Sequence, residues 1–253
     1  MAWFERGTTR IYYEEHGSGH PVLLMPGFAG SIEELSLLTQ ALASNHRVVA
    51  ADLPGSGRSA PQPRAYTPTF YEDDAQTFIE LLTDLGTGPA HLIGYSDGGE
   101  ISLVMAGLKP GIARSVLTWG AMGFLETSQL PLLEAFESVV DNPIEPLRDF
   151  SDYLKSTYGQ SNARTMTQNF ANATRAIIQG GGDIARSRAT DIACPVLLIA
   201  GEDDFFAPPA LVSQFASAVR GAEVLPLEGA GHDVHASHPE WLARTVLSWL
   251  ARH

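Results

Sequence analysis

Gly94-Tyr95-Ser96-Asp97-Gly98 has the pattern G-x-S-x-G and stands between an apolar run, Ala90-His91-Leu92-Ile93, and a helical pattern from Glu100 to Leu108. This places Ser96 where a strand turns sharply into a helix. Such an elbow needs neighbours nearly free of side chain, and Gly94, Gly98 and Gly99 let strand and helix pack closely while the hydroxyl points out of the top of a parallel sheet. A serine capping an ordinary strand-to-helix turn has the same short pattern. The flanking strand and helix signals favour the nucleophile.

A serine hydroxyl is a poor nucleophile near neutral pH, so the reading requires a base, a carboxylate to orient it and donors for a developing oxyanion. Val224-Leu225-Pro226-Leu227 reads as a strand, and Glu228-Gly229-Ala230-Gly231-His232 follows as a glycine-flanked loop. His232 is the expected base. Pro195-Val196-Leu197-Leu198-Ile199-Ala200 is an unbroken apolar run, as for a buried parallel strand, and ends in Gly201-Glu202-Asp203-Asp204. Either Asp203 or Asp204 can accept from the imidazole there. Val22-Leu23-Leu24-Met25 is an earlier strand, followed by Pro26-Gly27-Phe28-Ala29-Gly30. The backbone N–H groups of Phe28 and Asp97 are the expected oxyanion donors. The same loop also fits a Pro-Gly turn with a packed phenylalanine.

With Asp52-Leu53-Pro54-Gly55-Ser56-Gly57-Arg58-Ser59 after the strand 47–51, these motifs resemble the α/β-hydrolase fold from one end of the chain to the other. The order Ser, Asp, His is the one that fold uses. The resemblance implies a mostly parallel central sheet flanked by helices. It also selects Asp204 as the acid, because similar sequences place it three residues after the strand-end glycine, and leaves Asp203 at the surface. Many relatives have histidine before the loop glycine; here Pro26 stands there, which removes one loop-bracing side chain. The stretches Ser96-Asp97-Gly98-Gly99, Leu117-Thr118-Trp119-Gly120-Ala121 and Gly229-Ala230-Gly231-His232 are similar to the biphenyl-hydrolase-like branch, with its valacyclovirase-type amino-acid-ester hydrolases. In that branch an aspartate matching Asp97 is associated with the substrate's ammonium group. Here its carboxylate either pairs with a cation or is held by the scaffold.

Strand and helix signals alternate up to residue 119, in the rhythm of a parallel sheet. Between about 122 and 190 no strand is evident, and 129–140, 146–158 and 162–179 read as amphipathic helices. The expected organisation is therefore a core of residues 1–121 and 191–253, with a helical cap, 122–190, inserted after the sixth core strand. Its aromatic residues, Phe124, Phe136, Phe150, Tyr153, Tyr158 and Phe170, are expected mostly in the core, as are Phe205 and Phe206, with one or two lining an acyl pocket.

The 253 residues suit one such core, and 44% hydrophobic residues can build it. A net charge of -13 disfavours nucleic acid and anionic membranes as partners. No apolar run approaches the ~20 residues of a membrane span, and the first residues lack a signal-peptide pattern, so a cytoplasmic protein is expected. A single cysteine, Cys194, excludes an internal disulfide and reads as a small apolar residue. His232, His235 and His238 repeat every third position, but Gly229 and Gly231 indicate a loop, so no metal site is expected.

The sequence thus points to a serine hydrolase that cleaves a small carboxylic ester through an acyl-enzyme, without a cofactor, with an amino-acid ester as the narrower option. On the same residues, C–C bond, lactone or amide hydrolysis and perhydrolysis remain open. A non-catalytic hydrolase-fold receptor for a small molecule is the reading of another class. Dehalogenase and typical epoxide-hydrolase chemistry are disfavoured, because those relatives have aspartate where Ser96 stands.

Overall fold

Strands here have two apolar faces, and the helices sort to one or the other. In the computed structural model, which describes residues 2–253, Leu23 and Met25 pack into one hydrophobic cluster while Val22 and Leu24 pack into another. Side chains alternate across a strand, so a run with no polar interruption must be covered on both sides. Strands β1 (Ala2–Arg6), β2 (Thr9–His16), β3 (His20–Met25), β4 (His46–Ala51), β5 (Ala90–Tyr95), β6 (Ala113–Trp119), β7 (Val196–Gly201) and β8 (Glu223–Leu227) form one sheet of order β1-β2-β4-β3-β5-β6-β7-β8. The two pairings made by β2 are antiparallel and all the others parallel. The chain has the α/β-hydrolase fold.

The helices are α1 (Ser36–Ala43), α2 (Phe70–Asp84), α3 (Asp97–Leu108), α4 (Leu130–Glu137), α5 (Arg148–Tyr158), α6 (Gln160–Gln179), α7 (Pro209–Ala216), α8 (Val234–Ser237) and α9 (Pro239–Leu250). One face of the sheet is covered by α2, α3 and α7, through Phe70, Phe78, Val104, Met105 and Phe215. The other is covered by α1 and α9, through Leu38, Leu42, Val246 and Trp249. Pro239 opens α9 in its first turn, where a missing N–H costs nothing. Two elements were not expected from sequence, β1 and the single turn of α8. Ile32–Leu35 winds as a 3₁₀ turn leading into α1.

Between β6 and β7 the helices α4, α5 and α6 pack on one another and on the loops above the sheet. Val139, Leu147, Leu154 and Met166 form a cluster with Ala29 of the loop after β3. Among the described residues no helix is long and apolar enough to cross a membrane.

Candidate active site

Ser96 leaves β5 with φ 50° and ψ -118°, a backbone region that side-chain-bearing residues rarely adopt. The close crossing of strand and helix holds it there. A Cβ on Gly94 would lie 2.1 Å from the carbonyl oxygen of Gly98, so glycine is required where β5 and α3 touch. The turn is secured by Ser96 N–H, which donates to Trp119 O at 2.9 Å, and by Gly98 N–H, which donates to Pro26 O at 3.1 Å.

The three side chains drawn from distant parts of the sequence meet above this turn. His232 Nε2 lies 3.0 Å from Ser96 Oγ, and His232 Nδ1 lies 3.0 and 2.9 Å from the two carboxylate oxygens of Asp204. Asp204 is buried, and its Oδ1 also accepts the N–H groups of Phe206 and Ala207, both at 2.9 Å. Three donors on one carboxylate fix its orientation. Asp203 is exposed and takes no side-chain part in this chain of bonds. Gly120, with φ +69°, makes room for the imidazole, since a Cβ there would stand 2.7 Å from His232 Cε1.

Among the described residues, the N–H groups of Phe28 and Asp97 have no acceptor within the protein, while their neighbours do. Gly27 N–H reaches Glu34 Oε1 in a long bond of 3.4 Å, and Ala29 N–H donates to Ser56 Oγ at 3.1 Å. Free N–H groups on the loop after β3 and at the start of α3 are what an oxyanion-binding site requires. Glu34 and Ser56 thus brace the loop that follows Pro26.

The histidine loop has its own supports, which the sequence did not reveal. Tyr95, one residue before Ser96, donates its hydroxyl to Asp233, one residue after His232. Trp119 Nε1 donates to His235 Nδ1 at 3.3 Å, and burial holds the His235 imidazole down to about 4, so it is neutral and able to accept. His235 packs against Tyr95 and Trp119, and His238 is a surface residue of the turn before α9. Neither is brought to Ser96.

Asp97 is buried and lines the cavity beside Ser96, with Oδ1 accepting the Tyr71 hydroxyl at 2.7 Å. Burial pushes its carboxyl up to about 6, opposed by that hydrogen bond. One helical turn later Glu100 is also buried. Its carboxylate accepts Met122 N–H at 2.9 Å and Gly123 N–H at 2.9 Å, and burial outweighs both donors to push it up to about 8.

The cavity over Ser96 has a volume of about 540 Å³. The segment between β6 and β7 contributes the apolar side chains Leu125, Leu133, Phe136, Phe170 and Ile178 to its lining, along with Gln129, Asp149 and Thr174. Phe150, Tyr153, Phe205 and Phe206 line it too, whereas Phe124 and Tyr158 are core residues. Six of the eight aromatic residues expected mostly in the core thus face the cavity. Its lining includes Glu34, Asp97, Glu100, Asp149 and Asp233, and among the described lining residues there is no lysine or arginine.

Residues 16–245 match the alpha/beta hydrolase family. The human serine hydrolase BPHL is 27% identical over 240 residues, which span 89% of this chain and 78% of that protein. An esterase of Thermogutta terrifontis shares the fold with a TM-score of 0.74 at 21% identity, over 96% of this chain and 94% of its own. An enol-lactonase of Burkholderia xenovorans LB400 does so with a TM-score of 0.76 at 21% identity, over 99% and 100%.

Proposed function

The chain belongs to the alpha/beta hydrolase family, and on that premise we propose that it is a serine hydrolase that cleaves a small carboxylic ester through an acyl-enzyme intermediate. The observation that carries this reading is the continuous hydrogen-bonded chain Ser96–His232–Asp204, closed at 3.0 Å between Oγ and Nε2. His232 accepts the hydroxyl proton as Ser96 Oγ attacks the ester carbonyl carbon. The oxygen of the tetrahedral intermediate receives the Phe28 and Asp97 N–H groups. Collapse expels the alcohol, which takes its proton from His232. A water molecule, deprotonated by His232, then attacks the acyl carbonyl and releases the acid. Asp204 holds the imidazole in the tautomer that presents a bare Nε2 to Ser96 and stabilises the imidazolium. Residues 122–190 act as a cap that keeps bulk water from the acyl-enzyme.

The lining supports a substrate class. Asp97, Asp149 and Asp233 line the cavity with no lysine or arginine among the described lining residues to balance them, which disfavours carboxylate-bearing substrates, while its apolar side chains suit a short alkyl or aryl group. A neutral ester, or one carrying an ammonium group as in an amino-acid ester, fits both properties. Support for the ammonium-bearing form comes from Asp97, whose second carboxylate oxygen takes no hydrogen bond among the described residues.

A serine-directed fluorophosphonate tests the enzyme reading. It is expected to label the wild type and not Ser96→Ala, and a screen of p-nitrophenyl, amino-acid and lactone esters is expected to show turnover that disappears in the same variant. A folded wild type that resists the probe and turns over none of these esters would place the chain among non-catalytic receptors of the fold.

A further inference from the structure

Ala29 lies two residues beyond Gly27, in the loop that carries Phe28, whose N–H is the proposed oxyanion donor. It is buried, and its φ of 55° puts an alanine in the left-handed region. A side-chain-bearing residue stays there only if its surroundings hold it. The surroundings are specific. Ala29 N–H donates to the buried Ser56 hydroxyl at 3.1 Å, and its carbonyl oxygen accepts two phenolic hydroxyls, Tyr158 at 2.7 Å and Tyr153 at 2.9 Å. Both tyrosines belong to α5, within the segment between β6 and β7, not to the sheet that carries Ser96. The Tyr158 hydroxyl also accepts Gly57 N–H at 2.7 Å, so one buried oxygen joins α5, the loop after β3 and the turn after β4.

We infer that Tyr153 and Tyr158 are positioning residues for the oxyanion-binding loop, so that the seating of α5 on the core fixes the Phe28 N–H toward Ser96. This rests on the proposed serine-hydrolase function. With its carbonyl accepting from both hydroxyls, Ala29 cannot rotate to the ordinary negative φ without breaking both hydrogen bonds, one of them buried. Such a rotation would reorient the adjoining peptides and with them the Phe28 N–H. A helix outside the catalytic core thereby controls a donor inside it. The two tyrosines share one acceptor, so each partly covers the loss of the other.

The experiment compares Tyr153→Phe, Tyr158→Phe and the double variant, each of which removes only hydroxyls. The measurements are kcat and KM on p-nitrophenyl butyrate, inhibition by an aryl trifluoromethyl ketone whose adduct with Ser96 carries an oxyanion, and circular dichroism. Removing a whole oxyanion donor lowers kcat by about 10²–10³-fold, so misplacing one is expected to lower it by about tenfold in Tyr158→Phe and less in Tyr153→Phe. In the double variant the loss should exceed the product of the single losses. KM should stay within about twofold, and the ketone should weaken in proportion to kcat. A purely structural role would shift the melting temperature and leave kcat and ketone binding unchanged. That result in the double variant overturns the proposal, as does a loss confined to KM, which would make the tyrosines substrate contacts. Should Tyr158→Phe fail to fold, the half-buried Tyr153→Phe gives the same readouts. Fluorophosphonate labelling of the wild type at Ser96 separates the two failures. With labelling present and the variants unaffected, only the tyrosine role falls; without labelling, the enzyme reading falls and the tyrosine role with it.

Discussion

The floor and the roof of the cavity are held by different means. Ser96, Asp204 and His232 each follow the C-terminal end of a parallel strand, β5, β7 and β8, so backbone ladders set the spacing of the three side chains. The roof, α4 to α6, has no strand in the sheet. It rests on aromatic contacts such as Phe28–Phe136 and Phe28–Phe170, and on a few hydrogen bonds to loops, among them Asn169 Nδ2 to Arg64 O and Gln129 Nε2 to Phe206 O. A side chain on a ladder is displaced only if the sheet is displaced, whereas a packed helix shifts when its contacts are resized. Floor substitutions should therefore damage turnover of every substrate. Lining substitutions should change which substrate is preferred.

The largest expected effect is in the floor. His232→Ala leaves Ser96 without a proton acceptor and should lower kcat by about 10⁴-fold or more on all esters tested, with native circular dichroism. Asp204→Asn should lower it by about 10³–10⁴-fold, because the amide favours the wrong imidazole tautomer, while Asp203→Asn stays within about twofold. His235→Ala removes the acceptor of Trp119 and is expected to be far milder than His232→Ala. Matched kinetics check the ranking. A loss in His232→Ala that varied strongly among acyl groups would break the division between floor and roof.

That division also marks what could be read in the sequence. The floor was legible because its geometry restricts residue type locally: only glycine fits at Gly94 where β5 meets α3, and an apolar run ending in Gly201 marks the strand end that presents Asp204. The roof helices were legible as helices but not as a cavity wall. Phe170, Thr174 and Ile178 form a stripe along α6, and a stripe facing enclosed empty space has the same spacing as one facing packed side chains. The contacts of Tyr153 and Tyr158 with Ala29 span 124 and 129 residues, and no local pattern signals them. β1 was missed because Ala2-Trp3-Phe4-Glu5-Arg6 has only one apolar-polar alternation before its turn, too short to stand out.

Asp97 tests whether the floor also contributes to specificity. It sits on the first turn of α3, and its carboxylate lines the cavity and accepts the Tyr71 hydroxyl. Asp97→Asn should raise the barrier by about 1.5–3 kcal/mol for an α-amino ester, against a much smaller change for the des-amino analogue. Burial puts the Asp97 carboxyl at about 6, so the wild-type preference for the amino ester should grow as pH rises from about 5 to 7 and the carboxylate ionises. The measurement is kcat/KM for both substrates in both proteins across that range. Equal losses on the two esters would make Asp97 a scaffold residue held by Tyr71, and the floor would carry chemistry alone.

The smallest expected effect lies at the seam between floor and roof. Glu100 stands on α3 and accepts the N–H groups of Met122 and Gly123, the residues through which the chain leaves the sheet after β6. Its carboxyl, ordinarily at 4.5, is pushed by burial up to about 8. Between those values the folded protein binds more protons than the unfolded chain, so this group lowers stability as pH rises from 4.5 toward 8, and its effect levels off above that. Asp52, raised by burial to about 6, acts in the same direction. Glu100→Gln keeps a carbonyl acceptor for the two N–H groups and cannot ionise. Its Tm relative to wild type should therefore rise between pH 5 and pH 9, by a few degrees at about 2–4 °C per kcal/mol for a chain of this size. Glu100→Ala should lower Tm at every pH, because Met122 and Gly123 then lose their acceptor in a buried place. Thermal melts across that range decide it: parallel curves for wild type and Glu100→Gln would mean that Glu100 does not change charge in the folded protein over that range, and that the seam is held by the same bonds at every pH.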